Sequence, residues 1–275
     1  MSMLARPRPL SPQPKRPTIH RPSPSFLRMS ELFLARSSDD RIHLVRRMYS
    51  SGPGSDAHAS AKYAWFLIAA LAAVPFAITQ FAAFPGSSPE IRKMAMWLRD
   101  NFAFSYANAS DKPWTFVTAG FMHTGIFHIL FNMLTLRTGF EIMGFCARVS
   151  SVQLISLHLA GVLGGTLVSY LSTGREVAAA KASGNRMRQF EAEQRRYVGA
   201  SAGVSGVLVA ASIIAPRFPI TIMFIPIAVP LAGATAGFLF LDAYLMGSAT
   251  SFVAHEGHIG GALAGGLYYL LRLRR

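Results

Sequence analysis

The chain has 275 residues, 51% of them apolar and 15% charged, with a mean hydropathy of +0.33 and a net charge of +14. So much apolar surface with so little charge excludes an ordinary water-soluble domain and points to a helical membrane protein. Nor does the charge indicate a nucleic-acid binder: residues 1–49 hold ten Lys/Arg against three Asp/Glu, half of the whole excess, and no basic stripe is interleaved with aromatics.

Residues 1–62 lack a long apolar run. The first thirty contain six Arg/Lys and no acid, with many Ser and Pro. This is the composition of an organelle transit peptide rather than of a secretory signal, which needs an apolar core. Arg46-Arg47-Met48-Tyr49-Ser50-Ser51 follows and resembles the site cut by the mitochondrial processing peptidase, with the cut between Tyr49 and Ser50. Residues 1–49 are therefore read as a transit peptide, 50–62 as a polar linker and 63–275 as a membrane domain.

Six apolar segments follow, at 63–84, 122–144, 151–172, 198–216, 224–246 and 256–272. A helix rising ~1.5 Å per residue needs about 20 residues to cross a ~30 Å hydrocarbon core. Several segments are rich in Gly and Ala, which lets helices pack closely in lipid. Between the first two, residues 85–121 form a long loop, where Met94-Ala95-Met96-Trp97-Leu98 beside Arg92, Lys93 and Arg99 predicts an interfacial amphipathic helix. Residues 173–197, with six bases and three acids, predict a polar loop. The expected fold is all-α: a polytopic, six-transmembrane-helix bundle with a long first loop. The basic N-terminus, loops 145–150 and 217–223 and the Arg-rich C-terminus fall on one face, which the distribution of positive charge assigns to the matrix or cytosol. Cys146 is the only cysteine, so no internal disulfide and no thiolate metal site is expected.

With six spans, the second, fourth and sixth all enter from the opposite face. Each carries polar residues near its entry: His123, His128 and Asn132; Ser201 and Ser205; His255, Glu256 and His258. Polar groups at membrane depth are costly and mark function. A serine becomes a nucleophile when a histidine takes its proton, and acyl transfer needs donors aimed at the developing oxyanion. His128 and Asn132, at i and i+4, share a helix face and supply such donors, joined by the Ser201 N–H. Two serines compete as nucleophile, Ser201 in Gly199-Ala200-Ser201 and Ser205 in Gly203-Val204-Ser205-Gly206. Ser201 is preferred, because a helical Ser205 is satisfied by bonding its own i−4 carbonyl. His258 is preferred as base, with His255 as its rival nearer the loop, and His123 is read as a loop residue near the mouth of the site. No acid is obviously placed as a third member, so the expectation is a Ser–His dyad.

The motifs resemble a known family. His128-Ile129-Leu130-Phe131-Asn132 matches an HxxxN motif, Gly199-Ala200-Ser201 a GxS motif, and His258-Ile259-Gly260-Gly261-Ala262-Leu263-Ala264-Gly265 a His followed by GxxxG. Pro113-Trp114-Thr115 through Phe121-Met122-His123, and Phe224-Ile225-Pro226-Ile227, are similar to flanking stretches. In this order over 85–275 they resemble the rhomboid intramembrane proteases, of the mitochondrial type. The resemblance implies a serine endopeptidase of the mitochondrial inner membrane, cutting single-span proteins, with its site open to the intermembrane space. It assigns Ser201 as nucleophile, His258 as base and then acid, and His128 and Asn132 to the oxyanion hole. Transmembrane substrates and the bilayer are the implied partners, and no metal or cofactor is implied. Two positions depart from the pattern: Ala202 stands where most members have glycine, and Ser205 where many have an aromatic that packs on the catalytic histidine. Glu141 resembles a carboxylate with a structural role, bonding loop backbone. The alternatives are an inactive relative that binds transmembrane clients, and a transporter, which would predict an internal repeat that the sequence does not contain.

Overall fold

The computed structural model describes residues 55–222, 227–246 and 253–274. The transit-peptide segment with its cleavage motif, and Phe224-Ile225-Pro226, lie outside the described residues. Helix α1 spans Ser55–Ala83. It therefore starts inside the stretch read as a polar linker, because Ala57, Ala59 and Ala61 are strong helix formers that extend the apolar helix backwards. Its buried residues Ala61, Ala64, Ile68 and Ala72 recur at helical spacing. That narrow face meets the later helix bearing Met133, whose carbonyl accepts a bond from Trp65 Nε1 at 2.7 Å. The opposite face exposes Phe66, Leu67, Leu71, Val74 and Phe81, an arrangement suited to lipid rather than water.

The first loop holds the expected amphipathic helix, α2 (Pro89–Phe102), with Ser88 as N-cap, Pro89 in its first turn and Ala95 and Leu98 buried. Strand β1 (Phe104–Ser105) and a short α3 (Thr115–Thr118), continued by a 3₁₀ turn at Ala119–Phe121, complete it. Internal bonds fix the loop: Trp114 Nε1 donates to the Asn101 carbonyl at 2.8 Å and Thr118 Oγ1 to the Phe102 carbonyl at 3.1 Å. Helix α4 (Ile126–Ala147) follows a bend of 97° and ends on a left-handed Arg148. Arg137 and Glu141 pair on it at 2.8 Å, and among the described residues Glu141 makes this bond within its own helix and none to loop backbone.

Helix α5 (Ser151–Ala182) starts at a reciprocal cap, in which Ser150 accepts from the Gln153 N–H and Gln153 accepts from the Ser150 N–H. It runs ten residues beyond the expected segment end at 172, and α6 (Arg186–Gln194), capped by Asn185, occupies more of the expected polar loop. Arg, Glu, Ala and Lys are good helix formers whether or not lipid surrounds them. Strand β2 (Arg196–Tyr197) pairs antiparallel with β1, and Arg196 bonds Asp100 at 2.8 Å. The first loop is thereby tied to the residues just before α7 (Ser201–Ile214). Strands β3 (Pro219–Thr221) and β4 (Ala228–Pro230) form a second antiparallel pair. Helix α8 (Leu231–Leu245) begins seven residues later than the expected 224, because Pro230 and the residue before it favour extended backbone. Helix α9 (His255–Tyr268) closes the order and continues into a π turn at Tyr269–Leu273.

Glycine contacts set the directions of the inner helices. A methyl group on Gly261 would run into Ala202, and one on Gly265 into Gly206, so α7 and α9 are parallel and in register. Gly161 faces Gly203 while Gly165 faces Ala202 and Gly257, so α5 runs antiparallel to both. Gly139 abuts Val207 while Gly199 abuts His128, so α4 runs the same way as α7. On α8, Thr235 accepts from Ser212 at 2.7 Å near the C-terminal end of α7, while Asp242 meets the first turn of α9. Helices α4, α7 and α9 therefore start at one end of the bundle, as the alternation of the apolar segments predicts. Among the described residues two helices, His58–Ala83 and Ser151–Ala182, are by themselves long and apolar enough to cross a membrane, and the bent pair Thr115–Phe121 with Ile126–Ala147 makes a third if counted as one span. Helices α7 and α8 are apolar but shorter, at 14 and 15 residues.

Candidate active site

The site is built around a turn. Gly199 adopts φ +122°, backbone that L side chains rarely take. A Cβ there would also lie 2.6 Å from His128 Nε2 and 3.8 Å from Ser201 Oγ. Glycine thus lets the α4 histidine and the α7 serine share one small space. Two bonds hold the turn: the Gly199 N–H donates to the Ala119 carbonyl at 2.9 Å, and the Ala200 N–H donates to His123 Nε2 at 3.4 Å. His123 is the loop residue expected, between the 3₁₀ turn and α4, but it is 2% exposed rather than open to solvent, its ring edge-on to His128 with centroids 4.9 Å apart.

Ser201 is the first residue of α7, with Ala200 as cap. The opening N–H groups of a helix have no carbonyl within it and carry the positive end of its dipole, so the serine sits among donors suited to an anion. On α4, His128 Nδ1 lies 3.4 Å from Thr124 Oγ1, which leaves Nε2 facing Gly199. Asn132 is buried and gives one amide hydrogen to the His128 carbonyl at 2.9 Å, leaving its second. Ser205 Oγ donates to the Ser201 carbonyl at 2.9 Å, the back-bond its spacing predicts, and is 1% exposed.

His258 stands one turn before Gly261, the residue pressed against Ala202. Gly257 and Ala202 both close on Gly165, so His258 and Ser201 flank a single three-helix contact. Among the described residues no hydrogen bond joins Ser201 Oγ to His258. Instead His258 Nδ1 lies 2.9 Å from Asp242 Oδ1, and His255 Nδ1 lies 2.6 Å from the same oxygen. Asp242 is 2% exposed. The Phe238 ring, one turn before it on α8, lies 5.4 Å from the His258 ring. Sequence reasoning placed no acid and no aromatic beside His258; α8 supplies both. The signal was present: a lone acid inside an apolar segment requires a partner. Asp242, His255 and His258 are also the residue types that hold a cation, with donor atoms within 4.8 Å of one another. Their 2.6 and 2.9 Å separations are hydrogen-bond lengths, shorter than the about 3.3 Å between ligands around a tetrahedral zinc.

Tyr197, two residues before Gly199, links α5 to α9: its hydroxyl lies 2.8 Å from Thr173 Oγ1 on α5 and donates at 3.4 Å to Glu256 in the first turn of α9. Burial holds this phenol above its ordinary range, keeping it a neutral donor.

The family model of the Rhomboid domain matches residues 110–275. This chain belongs to the rhomboid family. His128, Asn132, Ser201 and His258 all fall within the matched rhomboid region, as do Asp242 and His255, whereas α1 and α2 precede it. The chain is also similar to RHOMBOID-like protein 12, mitochondrial, of Arabidopsis thaliana: 29% identical over 171 residues, 60% of this chain and 48% of that protein. It thus spans about half the length of that curated rhomboid relative. Family and apolar helices together make this a membrane protein.

Proposed function

We propose that the chain is an intramembrane serine endopeptidase that cleaves single-span membrane proteins within or near their transmembrane segments. Ser201 Oγ attacks the scissile carbonyl as His258 takes its proton, and His258 then returns that proton to the leaving amine. His128, Asn132 and the Ser201 N–H hold the oxyanion. Water attacks the acyl-enzyme, gives its proton to His258, and releases the second product as Ser201 regains its hydrogen.

One observation carries this reading: α4, α7 and α9 start at the same end of the bundle, and that end holds half-buried His128 and Ser201 and buried His258. We also place the protein in the mitochondrial inner membrane, on the basic, acid-free composition of residues 1–30 and the likeness to a mitochondrial rhomboid-like protein.

Reconstitution with a single-span reporter tests the reading. Wild type is expected to release two membrane-derived fragments, and Ser201→Ala none. Cleavage by Ser201→Ala at the wild-type rate would sink the assignment. Capture of intact reporter by both proteins without cleavage would favour the client-binding alternative.

A further inference from the structure

We infer that Asp242 is a positioning residue for His258, holding the imidazole by its Nδ1 so that Nε2 is bare and directed to the nucleophile. The inference rests on the protease reading above. A carboxylate in its ionised form only accepts hydrogen bonds, and two Nδ1 atoms 2.6 and 2.9 Å from its Oδ1 are then both N–H donors. In a neutral imidazole that leaves Nε2 as the acceptor, the form a general base requires. Among the described residues, Asp242 Oδ2 is buried and has no hydrogen-bond partner. Burying a carboxylate is costly, and the bonds to the two histidines are what offsets that cost among these residues.

The geometry divides the labour. Helix α8 runs antiparallel to α9 and presents Phe238 and Asp242 one turn apart on the face that meets His258. The ring of Phe238 limits tilt, and the carboxylate fixes rotation about the Cβ–Cγ bond. His255, one turn before His258 on α9, bonds the same oxygen and keeps the carboxylate from swinging with a single imidazole. This takes the place of the aromatic contact from α7 that Ser205 cannot make.

The test compares wild type, Ser201→Ala, Asp242→Asn, Asp242→Glu and His255→Gln as full chains in liposomes with a single-span reporter, and reads the His258 tautomer by nitrogen-15 NMR. Asp242→Asn is expected to lower kcat about 10²–10⁴-fold with KM within about threefold, because the amide admits the wrong tautomer. Asp242→Glu should restore part of that loss, and His255→Gln should cost less than about tenfold, since the His258 bond remains. Wild-type His258 is expected with Nδ1 protonated and Nε2 bare, and Asp242→Asn with Nε2 protonated. Should Asp242→Asn fail to fold, the wild-type tautomer decides alone: an Nε2–H form overturns the inference. An inactive Ser201→Ala beside an Asp242→Asn with wild-type kcat overturns it while leaving the protease reading intact. Cleavage by Ser201→Ala overturns both.

Discussion

Alanine at Ser201 or at His258 is expected to lower kcat about 10³–10⁶-fold, and alanine at both is expected to be no slower than the worse single variant. The reason is mechanistic coupling. The serine hydroxyl is a weak nucleophile without a base, and the base has nothing to activate without the serine. What survives either loss is expected to come from the proposed oxyanion donors on α4 and α7, which neither substitution removes. Rates of the three variants on one reporter form a double-mutant cycle. Losses that multiply would mean that the two residues act independently, and the pairing would be wrong even if each alone proved important.

The second large effect concerns packing. In Gly261→Ala the new methyl runs into the Ala202 carbonyl, which is backbone of α7 and cannot rotate away. Helices α7 and α9 must separate, and the glycine contacts that set their register, Gly261 on Ala202 and Gly265 on Gly206, are lost together. The expected cost is about 2–4 kcal/mol, read as a lower unfolding midpoint in detergent. Cleavage should fall by more than about 10²-fold, because a displacement of about 1 Å at reacting groups has that effect. Gly233→Ala is the control. Its methyl has open space on α8, so stability should stay within about 1 kcal/mol of wild type, with alanine the better helix former. Equal behaviour of the two variants would refute close helix contact as the determinant of the site.

Much of this architecture is legible in the chain itself, for reasons that particular residues make clear. Apolar runs locate the long helices because lipid and backbone hydrogen bonding allow little else. Their alternation puts His128, Ser201 and His258 at one end before any coordinate is known. The Ser201–Ser205 spacing likewise predicts the back-bond that occupies Ser205. Other features follow rules that hydropathy does not carry. Residues 173–182 are charged, yet Arg175, Glu176 and the alanines after them continue α5 as a helix beyond the apolar run. Pro230 delays α8 although the residues before it are apolar. The partnership of Asp242 with His258 spans 16 positions and depends on α8 and α9 running antiparallel. His123 is a similar case: its bond to the Ala200 N–H crosses 77 positions and becomes visible when the turn at Gly199 is built.

The proposed role of Ser201, at the start of α7, as an activated nucleophile is tested most directly by covalent labelling. The full chain in liposomes is treated with a fluorophosphonate, and the modified residue is located by peptide mass spectrometry. The adduct is expected on Ser201, retained in Ser205→Ala and lost in His258→Ala. An adduct on Ser205, or labelling of Ser201 that persists unchanged without His258, would contradict it.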